Sequence, residues 1–232
     1  MFSKNISVLL SAYNAEKTIN TAIESILSQS YDNFEFLILD DASTDNTFKI
    51  IESFSREDKR IRIFKNSYNL GLTKSLNLLL NESNADLIAR QDADDKSYKI
   101  RFQKQLEYLT VNKLDFVYAR SIRNDNNKTI PKYSFYLPKK IILKYKNPFI
   151  HGTLFGRKEA LNSINGYDEN FLYAQDYKLV TDLMSKSFKI KIMKDVLYES
   201  NFTNNISTLN QKEQEFYSDC VKKKIKPSEF LK

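Results

Sequence analysis

Short apolar runs and stretches of helical spacing alternate through the first hundred residues. "ISVLLSAYN" (6–14) is apolar until its last positions, and Ile19, Ala22, Ile23, Ile26 and Leu27 then recur at helical intervals, with Asn14 as a candidate cap. "FEFLILDD" (34–41) is a second apolar run, and it stops at two aspartates. "STDNTFKIIESFSRED" (43–58) predicts a helix with Phe48, Ile51 and Phe54 inward. "RIRIF" predicts a short strand, "NLGLTKSLNLLLNES" (69–83) a loop and helix, and "ADLIARQ" (85–91) another strand. Such alternation, with strands apolar on both faces, predicts an α/β fold with a mostly parallel sheet covered by helices on each side.

The rhythm breaks at 121–138, "SIRNDNNKTIPKYSFYLP", which predicts a loop or hairpin insertion. Beyond it, "FIHGTLFGRKEALNSI" predicts strand then helix, and "YAQDYKLVTDLMSKS" (173–187) a helix through Leu179, Val180, Leu183 and Met184. "FKIKIM" and "VLYES" predict two final strands. No repeat, low-complexity segment or linker interrupts the chain, so one continuous domain is expected.

Polar residues gather where the strands end: Ser11 and Tyr13, Asp40 and Asp41, then Asp92, Asp94 and Asp95. In open α/β sheets that edge binds ligands. The acidic cluster is notable because the 232-residue chain carries a net charge of +7. Its basic residues are scattered, apart from Lys222, Lys223, Lys224 and Lys226, which argues against nucleic acid as a partner. One cysteine, Cys220, fits a reducing compartment, and with no cleavable signal pattern or membrane-length apolar run a cytoplasmic location is expected.

Three carboxylates within four residues repel one another. A divalent cation among them answers that repulsion, since hard cations take oxygen ligands. The plainer alternative is a solvated loop whose aspartates cap the next helix. The chain has four glycines and no G-x-x-x-x-G-K-S/T or G-x-G-x-x-G pattern, so no glycine-rich loop cradles phosphate.

"ISVLLSAYNAEKTINTAIESILSQSYDNFEFLILDDASTDNT" strongly resembles the opening of the family 2 glycosyltransferases. The resemblance continues in order through "NLGLTKSLN", "DADD", "RFQKQ", "NGYDENF" and "AQDYKLVTDL". It implies the GT-A (Rossmann-like) fold as a single domain, with a mixed, mostly parallel sheet. On it, residues 1–208 form the transferase domain, 1–95 its nucleotide-binding half and 96–208 its acceptor-binding half. Residues 209–232 form a basic tail or helix.

The resemblance also implies roles. Ser11, Ala12 and Tyr13 would border the nucleobase, and Asp41 would accept a hydrogen bond from it, usually from uracil N3–H. Asp40 would support that loop or a turn. Lys74 and Asn77 would lie near base and ribose. Asp92 would face the ribose or sugar, with Ala93 beside it. Asp94 would ligate Mn²⁺ or Mg²⁺, with Asp95 the second choice, and Asp176 would be the catalytic base. Four positions depart from the pattern: Lys99 replaces a proline, Gln175 replaces the glutamate before Asp176, and Ser200 and Phe202 stand where relatives carry Arg and His before "NIS". His151, the one histidine, would lie beside the acceptor pocket or be structural. Arg157 would pack or bind phosphate.

The implied reaction is inverting transfer of a sugar from a nucleotide diphosphate-sugar, UDP-linked by expectation, to an acceptor hydroxyl in surface-glycan assembly. The acceptor would be a saccharide or a lipid-linked sugar. The competing readings are a non-catalytic nucleotide-sugar-binding module and a sugar nucleotidyltransferase. The basic C-terminal segment, with Phe216, Tyr217 and Val221, would either rest on an anionic membrane as a peripheral contact or be a solvated helix.

Overall fold

The computed structural model describes residues 6–202 and 210–230. Its strands are β1 (Ile6–Ala12), β2 (Phe34–Asp40), β3 (Ile61–Lys65), β4 (Leu87–Arg90), β5 (Lys96–Ser97), β6 (Phe116–Arg123), β7 (Thr129–Ile130), β8 (Phe155–Arg157) and β9 (Ile190–Ser200). They form one sheet in the order β3-β2-β1-β4-β8-β6-β9-β5, with β7 paired to β6. β3, β2, β1 and β4 are mutually parallel, and β6 is parallel to β9. β8 runs against both its neighbours. The predicted mostly parallel sheet is therefore present.

Successive strand residues supply two cores. Val8, Leu10, Phe36 and Ile38 face one way, packing with Ile19, Ala22, Ile23 and Ile26 of α1 (Ile19–Leu27), Ile51 of α2 (Thr47–Glu57) and Phe102 of α4 (Arg101–Val111). Leu9, Leu37 and Leu39 face the other way. They meet Leu76, Leu79 and Leu80 of α3 (Leu72–Glu82), Leu161 of α6 (Lys158–Ser163) and Leu179, Val180 and Leu183 of α7 (Gln175–Ser185). Burying each such side chain contributes about 1.5–3 kcal/mol before chain entropy is counted. That demand on both faces is why the strands read as continuous apolar runs.

Four details differ from expectation. Asn14 does not cap α1: it sits in the left-handed region (φ 49) and accepts a 2.9 Å hydrogen bond from the Thr44 N–H through Oδ1. Residues 43–46 form a loop before α2, tied by Asp45 Oδ1 to the Thr47 N–H (2.9 Å). The segment before the insertion is the strand β6, which the pattern reading passed over although its first half is buried. The two final strands are one, β9, whose pairing to β6 shifts register near Arg120. The insertion itself holds a hairpin, with Ser121 opposite Ile130 and Ile122 opposite Thr129.

The last long helix, α8 (Gln211–Lys223), closes a third apolar cluster: Cys220 and Val221 are buried against Phe171, Ala174 and Tyr177, with Phe216 and Tyr217 packed alongside. Of the apolar residues at the C-terminus, Val221 is buried and Phe216 and Tyr217 are half-buried.

Candidate active site

The ends of β1, β2, β4, β6 and β9 share one edge, and because β8 is reversed its leading turn, His151–Thr153, reaches the same edge. β4 stops at Arg90, opposite Leu9, while β1 continues to Ala12. The acidic loop crosses the gap this leaves.

Two buried arginines underlie that loop. Arg90 donates to the Gln91 carbonyl and, through Nη2, to Asp92 Oδ1 at 2.7 Å. Arg101 donates to the Arg90 carbonyl (2.8 Å), Ser97 Oγ (2.8 Å) and Gln105 Oε1 (2.9 Å). So one of the three carboxylates already has a cation: Asp92 belongs to Arg90. Asp95 is buried, and its Oδ1 accepts from the Asn201 N–H at 2.7 Å. Tyr198 hydrogen-bonds Asp95 and receives the Asp92 N–H on its hydroxyl at 3.1 Å. The loop does not cap α4, whose first residue is preceded by Ile100 with no side-chain cap.

Among the described residues the Asp94 carboxylate takes its one hydrogen bond from its own backbone N–H. Burial, and then the charge of Asp92, push its pKa up to about 6. Burial, with Asp92 and Asp94, holds Asp95 well above the carboxylate range. A cation at Asp94 would relieve both effects, and the donors are the hard oxygens that Mg²⁺ or Mn²⁺ prefers. Among the described residues no three His, Cys, Asp or Glu side chains close a complete shell, so ligand oxygens would have to finish it. The residues present fit a cation shared with a diphosphate. The segment "NIS" at 205–207 lies outside the described residues.

A cleft of about 430 Å³ joins Asp92, Asp94 and Asp95 to Asp176, His151 and Gln175. Asp176 lies in the first turn of α7, where the helix dipole favours a carboxylate. It accepts from Asn147 Nδ2 at 2.8 Å and from the Tyr177 N–H. Burial outweighs these bonds and raises its pKa. Beside it, Gln175 Oε1 is buried without a partner. His151 shares a 2.8 Å hydrogen bond with the Tyr167 hydroxyl, and burial, aided by Arg90, pulls its pKa down to about 3. It is therefore a neutral imidazole.

The remaining sequence candidates spread along the edge. Ser11 and Ala12 are buried at the end of β1, and Tyr13 is exposed next to them. Asp41 accepts from Asn66 Nδ2 (2.7 Å) and the Leu70 (2.9 Å) and Gly71 (2.8 Å) N–H groups. It therefore clasps the loop before α3. Asp40 is fully buried, its Oδ2 accepting from the Ser43 N–H at 3.3 Å and its Oδ1 without a partner. Lys74 lines an adjoining cleft with Leu172, Tyr173 and Gln175. Asn77 stands apart. Its amide bonds Tyr167 and Glu169, and it lines a different hollow with Asn81 and Gly166. Arg157 lies at the opposite end of β8, beside Asp115 (3.8 Å), away from the cleft.

Arg90, Arg101, Asn147, Tyr198 and Asn201 belong to the site and were not singled out from sequence. An arginine inside the apolar run "LIAR" is the one local signal among them. Asn147, Tyr198 and Asn201 reach the cleft through pairings no local pattern encodes.

The acidic loop and Asp176 thus face one cleft at the carboxyl edge of the sheet. The model of the family "Glycosyl transferase family 2" matches residues 7–165, and the chain belongs to that family. It is similar to "Putative glycosyltransferase EpsE" of Bacillus subtilis (strain 168), 36% identical over 169 residues, covering 70% of this chain and 59% of that one. It is 32% identical over 208 residues to "UDP-Glc:alpha-D-GlcNAc-diphosphoundecaprenol beta-1,3-glucosyltransferase WfgD" of Escherichia coli, covering 88% and 73%. Among solved structures, S. aureus TarS 1-349 in complex with UDP-GlcNAc superposes with a TM-score of 0.76 at 20% identity, covering 89% of this chain and 61% of that one. The Pyrobaculum calidifontis mannosyltransferase PcManGT, in complex with GDP-Man and Mn²⁺, superposes with a TM-score of 0.74 at 16% identity, covering 94% and 62%. The fold is GT-A. The chain spans less than two thirds of EpsE and of both solved relatives.

Proposed function

We propose that this protein moves a sugar from a nucleotide diphosphate-sugar, a UDP-sugar by preference, to an acceptor hydroxyl with inversion at the anomeric carbon. The observation that carries this reading is that the acidic loop and Asp176 face one cleft. Two other features support it: WfgD bears a UDP-glucose donor in its name, and TarS was solved with UDP-GlcNAc.

Asp176 takes the proton of the acceptor hydroxyl as that oxygen attacks. General-base help of this kind is worth about 10²–10⁴-fold. Asn147 holds the carboxylate in place, and the neutral His151–Tyr167 pair gives the neighbouring wall a polar, uncharged surface. Attack from the face opposite the leaving diphosphate inverts the centre in a single displacement. Asp94, with Asp95 behind it, would hold Mn²⁺ or Mg²⁺ against the diphosphate. That ion, when bound, would neutralise charge on the departing phosphate. Arg90 keeps Asp92 oriented whether or not a donor is present.

The test is twofold. Asp176→Asn is expected to lower turnover of UDP-sugars at least about 10²-fold while UDP still raises the melting temperature. UDP at about 100 times its dissociation constant is expected to add about 2.7 kcal/mol of stability in Mn²⁺ and much less in EDTA. Full turnover by Asp176→Asn would remove the base assignment. An equal UDP effect in EDTA would remove the cation.

A further inference from the structure

Among the described residues, five of the eleven large apolar side chains left exposed fall between 133 and 145: Tyr133 (73%), Tyr136 (76%), Leu137 (49%), Ile141 (53%) and Tyr145 (70%). They follow the hairpin insertion and lead into Asn147. The segment is anchored from beneath. Ser134 and Ile142 are buried, and Lys139 Nζ ties down the carbonyls of Ser134, Phe135 and Leu137. Phe135 packs on the second core under the Arg120 guanidinium.

Backbone bonds from Ile141 and Ile142 to the Pro138 carbonyl, and from Tyr145 and Lys146 to the Ile142 carbonyl, wind the short helix α5 (Lys139–Ile142) and the turn that follows it. Leu137 before this helix, Ile141 within it and Tyr145 in the turn after it are all turned outward rather than into a core. Lys132, Lys140, Lys144 and Lys146 are exposed around it. No acidic residue occurs between Asp125 and Glu159. Three carboxylates line the adjoining hollow: Asp176, and Glu215 and Asp219 of α8, the last paired with Lys222 at 2.9 Å.

Tyrosines and aliphatic side chains ringed by lysines, on a segment that itself carries no carboxylate, match the chemistry of a lipid–water interface bearing anionic headgroups. We propose that residues 132–146 are a peripheral docking surface for an anionic membrane, with Tyr133, Tyr136, Ile141 and Tyr145 entering the headgroup layer and the lysines meeting its phosphates. No helix among the described residues is long and apolar enough to cross a membrane, so the contact lies on the surface. Its position has a consequence for the reaction proposed above, on which this last step rests. Tyr145 and Lys146 line a hollow shared with Asp176, and Asn147 bonds the Asp176 carboxylate, so the docked surface would set the base beside the bilayer.

The test is sedimentation of the full chain with vesicles of phosphatidylcholine alone and of phosphatidylcholine with phosphatidylglycerol. Binding is expected to the anionic vesicles and to fall with salt. The triple variant Tyr136→Ser, Ile141→Ser, Tyr145→Ser and the double variant Lys140→Glu, Lys144→Glu are each expected to weaken it at least about tenfold. Circular dichroism should not change, because these side chains are exposed. Replacing Lys224 and Lys226, which do not line the hollow shared with Asp176, with Gln is expected to change binding less than about threefold. Four outcomes would overturn the proposal: no binding by the wild type, undiminished binding by both patch variants, loss confined to the C-terminal variant, or a wild-type dimer that the triple variant turns into a monomer. Vesicle binding needs no donor and no turnover, so its failure would leave the transferase reading intact, and failure of transfer would leave this one intact.

Discussion

Glu35 is buried and Asp176 half-buried, and their pKa values are pushed in opposite directions. Burial alone would raise Glu35, but Ser7 Oγ (2.6 Å), the Asn84 N–H (2.6 Å), Asn84 Nδ2 (3.2 Å) and Arg62 (3.0 Å) outweigh it, and its pKa is lowered from 4.5. A lowered folded pKa means a contribution that is complete above pH 4.5 and lost as pH falls through the folded value. Glu35→Gln is expected to cost about 1–3 kcal/mol at pH 7 in urea unfolding, and less at pH 3. Asp176 has fewer donors, and burial prevails. Since the base must be ionised, turnover is expected to rise with pH through a limb lying above the ordinary carboxylate value of 3.8. Asn147→Ala removes a bond that favours the charged form, so it is expected to move that limb of the kcat/KM profile to higher pH. A merely structural loss would lower the plateau without moving the limb.

At the scale of elements, the reversed strand β8 is the tightest joint. A Cβ on Gly156 would collide with the Phe116 ring and, at 2.6 Å, with the Asp115 carbonyl. Gly156→Ala is therefore expected to cost about 1–3 kcal/mol, read as a lower urea midpoint. The strands β1, β2 and β4 and the helices α1 to α3 were legible because each buries an apolar stripe of the right period. β6 was not, because its outer half leaves the core and its sequence merges with the insertion. The site was legible in the same measure. Asp92, Asp94, Asp95 and Asp176 stand in recognisable strings and meet in one cleft. The ties of Asp41 to the Leu70–Gly71 loop and of Arg90 to Asp92 depend on side-chain rotamers and long-range pairing, which carry no period.

For the whole molecule, α8 acts as a buttress rather than a tail. It seals Phe171 and Tyr177, and it brings Gln214 to the rim of the cleft that holds Asp176. Val221→Asp would bury an unpaired charge there and is expected to release the helix. Protease cleavage after residue 210 should then become faster and the melting temperature should fall. Turnover is expected to drop as well, because the wall carrying Gln214 leaves with the helix.

The acidic loop is finished by residues far along the chain. Asp92 is held by Tyr198 and Asp95 by Asn201, each across a separation of 106 residues. Contacts of such high order form late, after the entropy of closing a long loop has been overcome. In a chain still being synthesised, the parallel half of the sheet has all its strands well before β9 exists, yet its carboxylates remain solvated and unplaced. A nascent or truncated molecule ending before Asn201 would thus lack a finished acidic loop, and ligand-dependent stabilisation would report completion of the last strand.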